Sequence, residues 1–170
     1  MLKKPPKVLP LSFLLSHPAH LIAGGFGSGY SPWMPGTTGT LFGWLTFLLL
    51  AAWLPNPLWL GLFLIASFAL GVWACQRTGR DLGVVDHGSI VWDEIVPFWG
   101  VLWATSLLTS NGWLWQLSAF VLFRIFDILK PQPARYFDEQ VKNGFGVMCD
   151  DLIAAVYAVL VIFFITRLFH

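Results

Sequence analysis

Residues 57–75 read PLWLGLFLIASFALGVWAC and carry no charged side chain. A helix of roughly 20 apolar residues crosses the hydrocarbon core of a bilayer, so this stretch predicts a membrane-spanning helix. The whole chain agrees with it, since 56% of the residues are hydrophobic, 11% are charged and the mean hydropathy is +0.69. A soluble domain is about a quarter charged. We therefore expect a membrane protein, with a single domain over residues 1–170.

Four more apolar segments lie on either side of this stretch. They are Thr40–Leu54, a helix from near Ser89 to about Thr109, Trp113–Lys130 and Leu152–Phe169. The first of them is short, and it spans a bilayer only if residues 37–39 are helical too. A shorter helix is predicted after Ser16-His17-Pro18, ending at the following glycines. The sequence thus predicts an all-α polytopic membrane bundle with four to five spanning helices and a short N-terminal interfacial helix.

Charged residues indicate how this bundle is oriented. Residues 1–80 hold five cations and no acid, residues 81–151 hold nine acids and four cations, and Arg167 adds the last positive charge. The loops at 55–57 and 109–112 carry no charge. Since cations favour the cytoplasmic side, residues 24–39, 76–94 and 127–151 are all predicted to be cytoplasmic. A net charge of +1 that is split in this way gives no support to nucleic-acid binding.

The acidic residues form the most informative pattern. All nine lie within residues 81–151, and most stand where an apolar run meets a polar stretch. A carboxylate beside hydrocarbon is usually paired, metal-bound or functional. Because Mg²⁺ prefers hard oxygen ligands, we predict one Mg²⁺ site at which carboxylates from three segments converge. The candidate ligands are Asp93, Glu94, Asp127, Asp150 and Asp151.

Four of the candidate ligands form two adjacent acidic pairs, each at the predicted start of a helix, where negative charge complements the helix dipole. The pairs are Asp93–Glu94 and Asp150–Asp151. Neighbours in a helix point about 100° apart, so only one residue of the first pair is expected to face inward. Two pairs together with Asp127 are more than helix capping requires.

The segment FRIFDILKP, residues 123–131, places Arg124, Asp127 and Lys130 at every third position. They form one polar stripe on an apolar helix. One interpretation is an Arg124–Asp127 pair with Lys130 extended toward the lipid headgroups. The other is that Asp127 binds metal while the two cations bind phosphate.

A glycine-rich stretch, GGFGSGYSPWMPGTTG at residues 24–39, is predicted to be a loop. Backbone N–H groups in such a loop can hold phosphate, although it matches no Walker A or dinucleotide fingerprint. The candidate phosphate contacts here are Gly27, Ser28, Thr37 and Thr38.

The segment DHGSIVWDE, residues 86–94, adds a histidine beside the acids. We expect His87 or Glu94 to handle protons, although His87 could instead cap the helix at Ser89. With oxygen ligands, cations and a donor-rich loop at a lipid interface, the chemistry that uses all of them is metal-assisted attack on a phosphate ester. The candidate catalytic residues are His87, Asp93, Glu94, Asp127 and Asp150.

Four ordered blocks carry a family resemblance: GFGSGYSPWMPGTTGTL, DHGSIVWDE, FRIFDILKPQPARYFD and GFGVMCDDLIA. Together they resemble the phosphatidylglycerophosphatase A family. The resemblance implies a Mg²⁺-dependent enzyme of bacterial phospholipid biosynthesis in the inner (plasma) membrane. Such an enzyme hydrolyses phosphatidylglycerophosphate to phosphatidylglycerol and inorganic phosphate at the cytoplasmic leaflet. The polar positions it implies are Asp86, His87, Asp93, Glu94, Arg124, Asp127, Lys130, Asp150 and Asp151.

Two other functions fit the residues alone. A divalent-cation transporter or channel would also use intramembrane carboxylates, but it needs polar groups near the bilayer midplane. The middles of residues 40–54, 57–75 and 152–169 contain no acid. A phosphatase of another lipid phosphate stays open. So do the oligomeric state and the choice between a phosphorylated aspartate and direct attack by water.

Overall fold

The computed structural model describes residues 9–110 and 112–168, and within these ranges all regular structure is helical. A 3₁₀ segment, Gly25–Tyr30, joins the second helix to the third. The α-helices are α1 Leu11–Leu14, α2 Pro18–Ala23, α3 Pro35–Trp53, α4 Pro57–Leu82, α5 Trp92–Leu108, α6 Trp113–Leu129, α7 Ala134–Gln140 and α8 Gly144–Leu168. The predicted all-α class is confirmed.

Helix α5 is the centre of the bundle and packs against α3, α4, α6 and α8. Phe98, Val101 and Leu102 on this helix are completely buried. Lipid tails are as apolar as leucine, so close packing rather than the hydrophobic effect holds such helices together. Small residues permit it: a Cβ on Gly144 would lie 2.6 Å from the backbone N of Gln76, which brings α8 directly against α4.

Three helices are long and apolar enough to cross a membrane, namely α3, α4 and α8. Their outer faces carry large exposed apolar side chains, such as Leu49 (72% exposed), Ile65 (69%) and Phe164 (62%). Exposed apolar surface of this extent suits contact with lipid. Helices α5 and α6 have 17 residues each, and the predicted count of four to five spans stays a prediction.

Three helix starts differ from those predicted. Helix α3 begins at Pro35, so the end of the predicted glycine-rich loop is helical and the helix gains the length it needed. Helix α5 begins after Val91, and Ser89 does not cap it. Helix α8 begins at Gly144, eight residues before the predicted Leu152, because Asn143 Oδ1 accepts the Gly146 N–H at 2.9 Å. The acids at 150 and 151 are therefore not at a helix start.

The short N-terminal helix is present as α2, which follows His17 and ends at Ala23, just before Gly24. It packs against α4. The imidazole of His20 lies 2.9 Å from the Asp81 carboxylate, which ties α2 to the end of α4.

Candidate active site

A cavity of about 390 Å³ lies at the end of the bundle where α3, α5 and α8 begin and α6 ends. Six carboxylates and two cations line it, which leaves a formal charge of −4 when all are ionised. The charged lining residues are Asp86, Asp93, Glu94, Arg124, Asp127, Lys130, Asp150 and Asp151. Four of the carboxylates belong to residues less than 10% exposed. A buried group of this charge is suited to bind cations.

Arg124 joins two of the carboxylates. Its guanidinium pairs with Glu94 of α5 and, at 2.6 Å, with Asp127 of its own helix. Thr40 of α3 donates its hydroxyl to the same Glu94 carboxylate at 2.9 Å. The Nε of Arg124 is buried and has no hydrogen-bond partner within the described residues. Arg124 thus connects α5 to α6.

Lys130 connects α6 to α7 and α8. It ends α6 in the left-handed conformation (φ 43°), which is uncommon for a residue with a side chain. Its ammonium lies 2.6 Å from Asp150 and 2.8 Å from Asp138, so it does not extend toward lipid headgroups. Burial alone would lower the pKa of Lys130, but the Asp150 charge and both hydrogen bonds outweigh it and raise that pKa. The cation therefore persists inside the cavity.

Asp93 and Asp151 have no cationic partner within residues 9–110 and 112–168. They are 6% and 4% exposed, and none of the ion pairs among the described residues includes either of them. A buried carboxylate without a counter-charge is costly to keep ionised. No three carboxylate, histidine or cysteine side chains within residues 9–110 and 112–168 already surround one point closely enough to hold a metal ion. The oxygen donors and the uncompensated charge nevertheless fit a hard divalent cation.

The comparison with known families decides the assignment. The family model of phosphatidylglycerophosphatase A matches residues 21–166, which include every charged residue of the cavity. The chain belongs to the phosphatidylglycerophosphatase A family. Membership identifies it as a phosphatase and as an enzyme.

Curated relatives agree with this assignment. A phosphatidylglycerophosphatase A of Haemophilus influenzae is 51% identical over 88% of this chain and 89% of its own length. One of Escherichia coli is 45% identical over 89% of this chain and 85% of its own length. A Bacteroides thetaiotaomicron protein named "Putative phosphatidylinositol-3-phosphatase" is 40% identical over 84% of this chain and 89% of its own length. No solved structure matches the chain.

In this member of the family, all five predicted metal ligands line one cavity. The expectation that only one residue of the pair Asp93–Glu94 faces inward is wrong. The two point about 100° apart, but the longer Glu94 side chain reaches Arg124 and Thr40 while Asp93 enters the cavity directly.

The glycine-rich stretch is divided between the cavity and the rest of the bundle. Thr37 lines the cavity, whereas Gly27, Ser28 and Thr38 do not. The hydroxyls of Ser28 and Thr38 donate to the nearby backbone carbonyls of Gly25 and Met34. Their predicted contact with phosphate stays a prediction.

The two proton-handling candidates lie in different places. Glu94 lines the cavity, and His87 does not. His87 is 9% exposed, and its Nδ1 accepts the Ser89 N–H at 3.2 Å, as expected for a turn-stabilising histidine.

Sequence reasoning missed three contributors. Asp138 of α7 shares Lys130 with Asp150, and Thr40 holds Glu94. Gly36 lies so close to Glu94 that a Cβ there would be 2.8 Å from its carboxyl carbon. In the sequence, the absence of a side chain at Gly36, just before two threonines, was the one local indication that another group packs closely against the backbone there.

Proposed function

We propose that this chain hydrolyses the phosphate monoester of phosphatidylglycerophosphate, releasing phosphatidylglycerol and inorganic phosphate. One observation carries the proposal: a cavity with both carboxylates and cations lies at one end of an otherwise apolar bundle. A lipid phosphate needs both environments, since its acyl chains stay in hydrocarbon while its phosphate needs cationic partners. Family membership and the relatives named phosphatidylglycerophosphatase A support this substrate.

We further propose five spans, with α5 and α6 crossing the bacterial inner membrane beside α3, α4 and α8. A 17-residue helix is about 25 Å long, at the short end of what spans a bilayer. The cavity then faces the cytoplasm, because Arg77, Arg80 and Lys130 lie at its end of the bundle. The acids cluster at that end and not at mid-helix, which argues against a permeation path.

Mg²⁺ is the proposed cofactor. Asp93 and Asp151 would hold it, since both are buried without a cationic partner in the described chain, together with Asp127, Asp150 or Glu94 after a shift in their present ion pairs. When bound, such an ion supplies charge neutralisation at the phosphate and activation of water.

The chain's own residues supply the remaining functions. Arg124 and Lys130, the two cations that line the cavity, would hold the phosphate oxygens, Arg124 through its guanidinium and Lys130 as a point charge. The oxygen of water attacks phosphorus, the bond to the glycerol oxygen breaks, and a proton passes to that oxygen. Glu94 is the cavity residue that we assign to proton transfer.

The relative named for phosphatidylinositol 3-phosphate gives a specific reason to test a second headgroup. The experiment measures phosphate release by the purified protein from phosphatidylglycerophosphate, phosphatidylinositol 3-phosphate and phosphatidate in matched mixed micelles. We expect the highest kcat/KM on phosphatidylglycerophosphate. Higher activity on either competitor would replace the proposed substrate.

A further inference from the structure

A second cavity lies on the side of the bundle, between α4 and α8 and over α5. It has a volume of about 590 Å³, and no charged side chain lines it. Its rim is open to the surrounding membrane through Ile65 (69% exposed) on α4 and Val156 (50%) on α8. Its floor on α5 includes Pro97, Gly100 and Ala104. We call it the α4–α8 groove.

The α4–α8 groove begins one helical turn from the candidate active site. At 3.6 residues per turn, Asp93, Pro97, Gly100 and Ala104 lie within about 40° of one line along α5. The same helix face therefore carries a cavity carboxylate at its start and the floor of the groove beyond it. On α8, Asp151 and Ala155 have the same relation, one turn apart.

The length and lining of the groove suit a hydrocarbon chain. Its lining extends about 12 Å along α5, from Val96 to Ala104, and about 17 Å along α4, from Pro57 to Phe68. These lengths are close to the roughly 15 Å of one leaflet's hydrocarbon. No charged side chain interrupts the lining, as contact with an acyl chain requires.

We propose that the α4–α8 groove holds one acyl chain of the lipid whose phosphate enters the charged cavity. The inference rests on the proposed function and adds how the substrate is positioned. Since the bilayer is as apolar as the groove, the groove contributes orientation of the phosphate rather than affinity.

Gly100 offers a direct test. Gly100 lines the groove, and a Cβ at this position meets no atom within 4 Å, so a side chain can be added here without a clash at its first atom. The test compares Gly100→Phe with Leu107→Phe, a change on the same helix at a residue that is 55% exposed and outside the groove. The substrates are dipalmitoyl and dibutyryl phosphatidylglycerophosphate, which share one headgroup.

We expect Gly100→Phe to lower kcat/KM on the long-chain lipid about 10- to 100-fold, the effect of a misplaced reacting group, and to leave the short-chain lipid within about twofold. Leu107→Phe should leave kcat/KM unchanged for both lipids. Equal losses on both substrates, or none, would overturn the groove assignment while wild-type hydrolysis of the lipid still upheld the proposed function. If wild-type protein releases no phosphate from either lipid, the proposed function fails first.

A second measurement does not depend on a variant that folds. A phosphatidylglycerophosphate with a diazirine in mid-chain is bound to the wild-type protein, illuminated and mapped by peptide mass spectrometry. Label within residues 96–104 and 152–160 supports the proposal. Label confined to α3 or α6 overturns it.

Discussion

Replacing Arg124 tests whether the charges of the cavity also hold the bundle together. Its side chain is 15% exposed, and its two partners Glu94 and Asp127 are 14% and 11% exposed. Arg124→Gln removes the cation and leaves both carboxylates buried. Breaking a buried pair by removing one partner costs about 3–5 kcal/mol. For a chain of this length each kcal/mol lowers Tm by about 2–4 °C, so we expect a fall of roughly 6–20 °C.

The assay is thermal unfolding of the purified protein in a mild detergent, first with EDTA and then with Mg²⁺. The double variant Arg124→Gln/Glu94→Gln should recover part of the loss, with a coupling of about 0.5–3 kcal/mol, because it also removes one of the stranded charges. Mg²⁺ should raise the Tm of Arg124→Gln more than that of the wild type, since the cavity then lacks one cation.

Arg135→Gln is the matched control. Arg135 also pairs with a carboxylate, that of Glu139, but it is 63% exposed, and exposed pairs contribute little. Its loss should leave Tm unchanged. If Arg124→Gln lowers Tm no more than Arg135→Gln does, the Arg124 pairs do not hold α6 against α5 and the reasoning is refuted.

Four further changes, one of them with a matched control, test individual roles. Lys130→Met should lower kcat/KM about 10- to 100-fold through loss of a charge-assisted contact. Mn²⁺ affinity measured by electron paramagnetic resonance should not fall, because Asp150 loses its ion-pair partner and keeps its own charge for the metal. Unaltered kinetics would make Lys130 structural. Gly36→Ala should displace the Glu94 carboxylate, 2.8 Å from the new Cβ, and cost about 10- to 100-fold in kcat. Gly88→Ala is the control for Gly36→Ala, because Gly88 lines the same cavity but a Cβ there has open space around it. This change should leave kcat unchanged. Asp127→Asn should abolish phosphate release with the fold intact by circular dichroism, and full activity would remove Asp127 from the site. His87→Ala should keep the wild-type dependence of rate on pH, because His87 lies outside the cavity. If the variant instead loses one limb of the pH profile and its rate falls about 10²-fold or more, His87 carries a proton in the reaction.

Much of the site could be predicted because charge beside hydrocarbon is rare and costly. Asp93, Asp127 and Asp150 stood out for that reason. Because successive apolar segments run through the bundle in opposite directions, these three residues lie at the same end of it. The stripe of Arg124 and Lys130 followed from helical periodicity alone. These inferences needed only the chain order and the cost of an unpaired charge.

The remaining features depend on contacts between distant segments. Helix α8 starts at Gly144 because that glycine packs on α4 and Asn143 caps the first turn, neither of which changes the apolar pattern. Asp138 belongs to a polar helix that resembles any exposed segment until Lys130 reaches it. The direction of Glu94 depends on Thr40, 54 positions earlier in the chain.

The most direct test of the central claim is phosphate release from phosphatidylglycerophosphate by the purified wild-type protein, with Mg²⁺ and after its removal by EDTA. We predict steady release with Mg²⁺, none with EDTA, and recovery when Mg²⁺ is restored. Release that continues unchanged in EDTA would contradict the metal site, and no release under any condition would contradict the assigned reaction.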